Sequence, residues 1–128
     1  MKYFKSNGKH NWVDETNVVV GFDEIGECCA RHGFFYSKDQ PDDVPYDVLR
    51  CSLGEADVDL APWRFVRNGS GVKAEHIQSF PGTDGGGAVI FELFNMLNNK
   101  KMFLTIFNAQ SGYYSSEVVV GVPIKFRI

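Results

Sequence analysis

The most informative part of the sequence is AVIFELFN (88–95), followed by the polar segment MLNNKK (96–101) and by MFLTIFN (102–108). Two apolar segments of strand length with a polar loop between them predict two neighbouring strands. Alternate residues of an extended chain point to opposite faces, so Val89, Phe91 and Leu93 would share one face and the apolar residues between them the other. Strands that are apolar on both faces are normally covered on both sides. We therefore predict that this pair lies at the centre of a sheet.

Further strand and turn signals lie on both sides of this pair. β-Branched and aromatic residues predict strands at TNVVVGF (16–22), GFFYS (33–37), YDVLRCSL (46–53) and EVVVGVPIKFRI (117–128). Asn68-Gly69 predicts a tight hairpin, because these residue types tolerate the positive φ angles that such a turn needs. Gly121 and Pro123 interrupt the last segment and indicate a bulge or an edge position.

One helix is predicted, over residues 23–32. Asp23 would cap its first turn, and Gly33 would take the left-handed position just after its end. The apolar stripe of this helix has the i, i+3, i+4 and i+7 spacing of a single buried face and consists of Ile25, Cys28, Cys29 and His32. We expect the helix to pack on the sheet, with the adjacent cysteines as small buried hydrophobic residues.

The cysteines have an alternative interpretation as metal ligands. Cys28 and His32 would project two ligands from one helix face, and Cys51, His10 or His76 would complete a zinc site. Structural zinc sites usually show two ligand pairs in the sequence, and this sequence holds no second pair. We therefore expect inert, buried thiols and neither a metal nor a cofactor.

Length and composition indicate a single globular domain. The chain has 128 residues, of which 44% are hydrophobic, enough to bury a core as one domain over residues 1–128. The predicted fold class is α+β and β-dominated, a mostly antiparallel sheet with one short helix at about 23–32 packed on it. Because the sequence contains neither an apolar run of about 20 residues, as a membrane span requires, nor an apolar signal segment at its start, we expect a cytoplasmic protein.

Charge is distributed unevenly along the chain. The net charge is -3, yet residues 11–60 hold twelve acidic residues against three basic ones. If these acids share a face, that face would repel nucleic-acid backbones and favour a basic protein partner. The alternative is a solvated surface that only keeps the protein soluble. We expect neither a nucleic acid nor a membrane as partner.

Motifs for catalysis or nucleotide binding are weak. PGTDGGGAV (81–89) is rich in glycine but leads into a strand, whereas a phosphate-binding loop leads into a helix N-terminus. No G-x-S-x-G nucleophile elbow is present in the sequence. EADVD (55–59) would place three carboxylates on one side of an extended segment, as a solvated face or as a site for a divalent cation. We assign no catalytic residue and expect binding rather than catalysis.

The segment NAQSGYYSSE (108–117) contains the adjacent tyrosines Tyr113 and Tyr114. An exposed tyrosine beside serines and amides makes a recognition surface, although a tyrosine that merely covers a sheet is commoner. Together with VVVGFDEIGECCARHGFF (18–35), this segment resembles a group of small uncharacterised bacterial domains. Those domains have an early Cys-Cys pair and a late Asn-x-x-x-Gly-Tyr-Tyr segment. The resemblance implies no activity and no site residue.

The sequence favours a non-enzymatic intracellular protein that engages a basic protein through an acidic surface, as an inhibitor or immunity protein does. The predicted contact residues are Asp42, Asp43, Asp57, Asp59, Tyr113 and Tyr114. The alternative is a small-molecule-binding domain or small enzyme, with a pocket between the sheet and the loop before Ala88. The sequence gives no indication of the oligomeric state.

Overall fold

The fold is built from antiparallel β-strands. The computed structural model describes residues 1–23, 32–43, 58–69, 71–77, 87–108, 117–121 and 124–127. Within these ranges the strands are β1 (Lys2–Ser6), β2 (Lys9–Val13), β3 (Val19–Asp23), β4 (His32–Ser37), β5 (Trp63–Phe65), β6 (Arg67–Asn68), β7 (Gly71–Val72), β8 (Ala74–Ile77), β9 (Gly87–Asn95), β10 (Lys101–Asn108), β11 (Glu117–Val120) and β12 (Ile124–Arg127).

These strands form two five-stranded sheets and one small separate hairpin. Sheet 1 has the order β1-β2-β3-β11-β12. Sheet 2 has the order β4-β10-β9, and both β5 and β8 pair with the far side of β9. The separate hairpin is β6-β7. The predicted β-dominated, antiparallel character is confirmed, but the strands form two sheets rather than one.

The pair β9 and β10 lies in the middle of sheet 2, as its apolar faces predicted. β10 pairs with β4 on one side and with β9 on the other, and β9 also pairs with β5 and β8. Val89, Phe91 and Leu93 are fully buried on the inner face, and Ile90 is buried on the outer face. Both faces of this pair are therefore covered along most of its length.

The edge of sheet 2 beyond β9 is one strand that an inserted hairpin interrupts. β5 pairs with the C-terminal part of β9, and β8 continues along its N-terminal part in the same direction. Between them, the Val66 N–H donates to the Glu92 carbonyl at 2.9 Å, and the Lys73 N–H donates to the Val66 carbonyl at 2.7 Å. The β6-β7 hairpin thus projects from the edge without ending the pairing with β9.

The core lies between the facing sides of the two sheets. Its largest fully buried side chains include Trp12 and Phe22 from sheet 1 and Phe65 and Phe91 from sheet 2. Trp12 also meets Phe34 of sheet 2, with ring centroids 4.9 Å apart and the ring planes at 83°. This edge-to-face geometry is favourable for aromatic rings. The two sheets therefore form a sandwich that is held mainly by burial of aromatic and aliphatic surface.

The outer face of sheet 2 carries a second buried apolar cluster. Its members are Phe35, Ala88, Ile90, Phe103 and Phe107. Gln40, which follows β4, donates from its side-chain amide to Glu75 on β8. Since β4 and β8 lie at opposite edges of sheet 2, the segment after β4 crosses part of this outer face.

The predicted helix over 23–32 is wrong at both ends. Asp23 is the last residue of β3, and His32 is the first residue of β4. Residues 24–31, which include the remaining stripe residues and both adjacent cysteines, lie outside the described residues. No helix occurs within the described ranges. Sheet 1 covers the inner face of sheet 2 and so supplies the apolar layer that the helix was expected to provide.

The turn between β1 and β2 was not predicted from the sequence. Asn7 and Gly8 form it, with φ angles of 52° and 76°, and Ser6 pairs with Lys9 on either side. Two consecutive residues with positive φ are characteristic of the tight hairpin turn that Asn-Gly favours. The Asn-Gly dipeptide was therefore an available signal for this hairpin.

The predicted hairpin at Asn68-Gly69 and the predicted interruption at Gly121 are both present, each in a modified form. The hairpin at Asn68-Gly69 is confirmed, but Asn68 pairs with Gly71, so the loop begins at Gly69, whose φ is 62°. The interruption at Gly121, where φ is 53°, reverses the chain between the paired strands β11 and β12. It is a hairpin rather than a bulge, and β12 lies at the edge of sheet 1.

Candidate functional site

An open groove lies at the end of the sandwich where β4 ends and where β5 and β10 begin. Its cavity measures about 890 Å³. We name it the end groove. Its floor is formed by Tyr36, Val58, Trp63, Met102 and Phe103. Its rim is formed by Lys38, Asp39, Gln40, Lys100 and Lys101.

The floor of the end groove is mostly apolar and is anchored to the core. The Tyr36 hydroxyl accepts a hydrogen bond from the Trp12 indole N–H at 2.7 Å, which ties the floor to sheet 1. Burial raises the pKa of Tyr36 to about 12, although the Trp12 hydrogen bond lowers it in part. The phenol therefore stays protonated at neutral pH, and the floor carries no charge of its own at this position.

The rim of the end groove carries charges of both signs. Lys101 is paired with Glu92 at 3.7 Å, and Glu92 also pairs with Lys73 at 3.2 Å. Asp39 is exposed, and its backbone carbonyl accepts a hydrogen bond from the Ser37 hydroxyl at 2.7 Å. The ion pair with Glu92 partly neutralises Lys101, so the charges at the rim come chiefly from Lys38, Lys100 and Asp39.

Three of the six predicted contact residues lie within the described ranges, namely Asp42, Asp43 and Asp59. Asp42 and Asp43 are exposed and follow the rim segment after β4. Asp59 is exposed directly after Val58 of the floor, and its Oδ1 accepts the Ala61 N–H at 3.1 Å. Asp59 is therefore next to the lining of the end groove, whereas Asp42 and Asp43 follow Gln40, whose side chain reaches Glu75 on β8 at the opposite edge of sheet 2.

The other predicted site features rest on residues that the structure does not describe. The contact residues that lie outside the described residues are Asp57, Tyr113 and Tyr114. The loop before Ala88 also lies outside them, and Ala88 itself is fully buried near the start of β9. The end groove lies near the opposite end of β9, beside the β9-β10 turn. The end groove is therefore not the pocket that was predicted beside the loop before Ala88.

The β9-β10 turn presents two apolar side chains to solvent beside the end groove. Met96 is 41% exposed and Leu97 is 85% exposed, and we name this pair the apolar turn. The buried Asn95 holds it, because Asn95 Oδ1 accepts the Leu97 N–H at 2.8 Å and the Asn98 N–H at 3.3 Å. The sequence was interpreted at residues 96–101 only as a polar loop. The exposure of the two apolar residues, which lie between asparagines, was not predicted.

A smaller cavity of about 340 Å³ lies near Arg64 and Phe94. The Arg64 guanidinium lies 5.8 Å from the centroid of the Phe94 ring, within the range of a cation–π contact. Arg64 also pairs with Glu15 at 3.4 Å. Because its main cation is already engaged by two neighbours, this cavity is a weaker candidate site than the end groove.

Asp14 is a buried carboxylate whose role is structural. Its Oδ1 accepts the Thr16 N–H at 2.9 Å, the Thr16 hydroxyl at 2.7 Å and the Val18 N–H at 3.1 Å. Its Oδ2 accepts the Phe65 N–H at 3.1 Å. Asp14 therefore connects the turn after β2 in sheet 1 to β5 in sheet 2. The sequence analysis counted it only among the acidic residues.

Metal-binding groups, membrane-spanning helices and similarity to known proteins were each considered as indications of function. In the described part of the chain, no group of three or more His, Cys, Asp or Glu side chains could hold a metal ion. None of the described residues belongs to a helix long and apolar enough to span a membrane. Protein-family models, curated proteins and solved structures give no significant match to the chain. The resemblance to small bacterial domains stays a prediction.

Proposed function

We propose that the protein is a non-enzymatic binding domain whose end groove receives an apolar side chain of a basic protein partner. The acidic residues beside the groove would engage cationic side chains that flank this apolar anchor. The observation that carries the proposal is an open cavity with an apolar floor, which has the exposed Asp39 in its lining and the exposed Asp59 directly after Val58 of that lining. A role as an inhibitor or immunity protein that engages a basic partner fits this chemistry.

The size and lining of the end groove support this proposal. A cavity of about 890 Å³ falls within the range of roughly 300–1,000 Å³ that is common for ligand sites. Aromatic residues such as Tyr36 and Trp63 are frequent at binding surfaces, because they offer a large apolar area together with a polar group. The groove is therefore large enough for one or two apolar side chains of a partner.

The groove is surrounded by charges of both signs, and its acidic residues are the groups that a basic partner would engage. Asp39 belongs to its lining, and Asp59 directly follows Val58 of the lining. Against them stand Lys38, Lys100 and Lys101, of which Lys101 is paired with Glu92. Exposed charges of this kind steer association and suppress partners of the wrong sign more than they add affinity.

The direct test is the binding of a short synthetic peptide that has two leucines flanked by lysines. Trp63 lies in the groove floor and Trp12 is fully buried in the core, so the two indole N–H signals in an NMR spectrum report separately. We expect the peptide to shift the Trp63 signal and to leave the Trp12 signal in place.

Matched controls separate the apolar and the charged contributions. Replacing the leucines of the peptide by serines should abolish the shift, and replacing its lysines by glutamates should weaken binding severalfold. Asp39→Asn should weaken binding of the lysine peptide, whereas Asp23→Asn, at an exposed carboxylate on β3, should not. A Trp63 signal that ignores the leucine–lysine peptide at millimolar concentration would refute the proposal.

A small molecule is the second candidate occupant, and the volume of the cavity favours it equally. Such a ligand would shift the Trp63 signal without any requirement for flanking lysines. A fragment library screened by the same indole signals therefore distinguishes the two candidates. Hits that compete with the peptide would place both ligands in the end groove, and hits without any peptide binding would favour the small molecule.

A further inference from the structure

The smaller cavity, of about 340 Å³, lies where the edge of sheet 2 meets the turn between β2 and β3. We name it the arginine cavity. Its lining consists of Thr16, Arg64, Phe65, Val66, Arg67 and Phe94, so the two arginines are its only charged lining residues in the described part of the chain. A volume of this size lies at the lower end of the range that is common for ligand sites. The cavity therefore suits a small ligand with an apolar body and a negative charge.

Both arginines line the cavity because the chain leaves sheet 2 between them. Residues three apart in a straight strand point to opposite faces, but Arg64 belongs to β5 and Arg67 to the separate β6-β7 hairpin. Arg67 is exposed, and none of the ion pairs among the described residues includes it. Its guanidinium is therefore available to an anion that enters the cavity.

Two acidic residues near the cavity are already satisfied within the chain. The Asp14 carboxylate accepts four hydrogen bonds from N–H and O–H groups. The Glu92 carboxylate pairs with Lys73 and Lys101. Within the described ranges, neither acid forms an ion pair with an arginine of the cavity. These two carboxylates therefore do not occupy its cations.

Glu15 shows which kind of group Arg64 accepts. Its Oε1 lies 3.4 Å from Arg64 Nη1, and the two side chains are 43% and 44% exposed. An exposed pair of this kind contributes little to stability, so another carboxylate could replace Glu15 at little cost. The Arg64 guanidinium also lies 5.8 Å from the Phe94 ring centroid, against the apolar part of the lining. With Glu15 paired to one arginine, Arg67 supplies the uncompensated positive charge.

We propose that the arginine cavity binds a small aromatic carboxylate. The ligand carboxylate would replace Glu15 at Arg64 and would also contact Arg67, while its ring would lie against Phe94. Guanidinium groups suit this role, because their planar N–H groups match the two oxygens of a carboxylate. Since the ligand and Glu15 compete for Arg64, Glu15 limits the affinity of the site. The site is separate from the end groove and does not depend on its proposed function.

Titration of the full chain with benzoate, followed by NMR, tests the site. The side-chain Nε–H signals of Arg64 and Arg67 report on the cavity, and the Trp63 indole signal reports on the end groove. We expect benzoate to shift the arginine signals and to leave the Trp63 signal in place. Benzamide keeps the ring but has no charge, so it should bind at least about tenfold more weakly. Acetate keeps the charge but has no ring, and it should bind severalfold more weakly.

Two variants should change the affinity for benzoate in opposite directions. Arg67→Gln should weaken binding by at least about tenfold, because a charge-assisted contact is lost. Glu15→Gln removes the competing carboxylate and should strengthen binding severalfold, a gain that partial unfolding could not produce. The matched controls are Lys9→Gln and Asp23→Asn, which change an exposed ion pair at the other end of the β2-β3 pair. Neither control should alter the affinity.

Several outcomes would overturn the proposal. They are arginine signals that do not move at millimolar benzoate, equal binding of benzoate and benzamide or acetate, an unchanged affinity in Arg67→Gln, and no gain in Glu15→Gln. A shift of the Trp63 signal without a shift of the arginine signals would place benzoate in the end groove and would also overturn it. None of these outcomes affects the proposed function, because that function is tested with the leucine–lysine peptide at Trp63.

Discussion

The layer between the two sheets and the end of the sandwich use the same residue types in opposite ways. In the inner layer, Trp12 and Tyr36 hydrogen-bond to each other, and the aromatic rings pack edge to face within the core. At the end, Trp63 lines an open cavity and Leu97 is exposed to solvent. The comparison shows that the same residue types are buried against each other in one region and open to solvent in the other. Substitutions in the two regions should therefore have separable effects.

The largest effect on stability is expected from Phe91→Ala in the inner layer. Phe91 is fully buried, and removal of a buried aromatic ring costs about 3–5 kcal/mol through lost burial and the cavity left behind. Phe4→Ala, at a side chain that is 44% exposed, should cost less than about 1 kcal/mol. Urea denaturation of both variants measures this contrast. Similar losses for the two would contradict the contrast between buried and exposed side chains.

Asp14→Ala is expected to have the next largest effect. The substitution leaves the N–H groups of Val18 and Phe65 without their acceptor in buried surroundings, and each such loss costs about 1–3 kcal/mol. We expect a total loss of about 3 kcal/mol in the free energy of unfolding. Asp23→Ala, at an exposed carboxylate 4.0 Å from Lys9, is the control and should change stability by less than about 0.5 kcal/mol. Equal effects would mean that Asp14 does not connect the sheets.

Tyr36→Phe should have a smaller effect, because it removes one hydrogen-bond acceptor and no apolar surface. The Trp12 indole N–H would remain buried without its partner, which costs about 1–2 kcal/mol. Thermal or urea unfolding of this variant beside the wild type gives the value. An unchanged free energy of unfolding would show that the Trp12 indole N–H has another acceptor in the variant.

The titration of Tyr36 gives a pH dependence with a defined sign. Its pKa is about 12 in the folded chain against 10.0 for the unperturbed group, so the unfolded chain releases this proton first as pH rises. The contribution of Tyr36 to stability is therefore present below pH 10 and is lost as the pH rises from about 10 toward 12. The slope of stability against pH in this range should be shallower in Tyr36→Phe. Equal slopes in both chains would contradict the raised pKa.

The smallest effect on stability is expected at the apolar turn. Leu97→Ser removes a side chain that is 85% exposed, so the free energy of unfolding of the monomer should change by less than about 0.5 kcal/mol. Urea denaturation of the variant beside the wild type measures it. A loss of more than about 1 kcal/mol would mean that Leu97 packs within its own chain, and the contrast between the two regions would fail.

The sequence predicted the central strands well because their signal is local. Alternation placed Val89 and Phe91 on the inner face, and apolar residues on both faces placed β9 and β10 centrally in sheet 2. The helix predicted over 23–32 is wrong at its two ends, where Asp23 and His32 belong to strands, because a spacing of i, i+3, i+4 and i+7 over so few residues also arises by chance. A periodic pattern over ten residues does not distinguish a short helix from a segment that connects two strands.

The candidate site was predicted only in part, for a different physical reason. The acids Asp42 and Asp59 were both predicted as exposed contact residues, but only Asp59 is next to the lining of the end groove, because their positions depend on a sheet order that is not encoded locally. The floor of the end groove joins Tyr36 to Trp63 by the same long-range arrangement. The exposure of Leu97 follows from the hydrogen bonds of Asn95, which a reading of residue types does not reveal.

The pairing of β3 with β11 has a consequence for how the chain reaches its native state. Sheet 1 begins with three strands that are neighbours in sequence, but it is completed only when residues 20–22 pair with residues 118–120. Contacts between such distant parts of a chain form slowly, because a long loop must close first. Until then, the unpaired edge of β3 and the apolar side of Trp12 and Phe22 are open to other chains. The folding yield should therefore decrease as the protein concentration during refolding increases, since aggregation competes with completion of sheet 1.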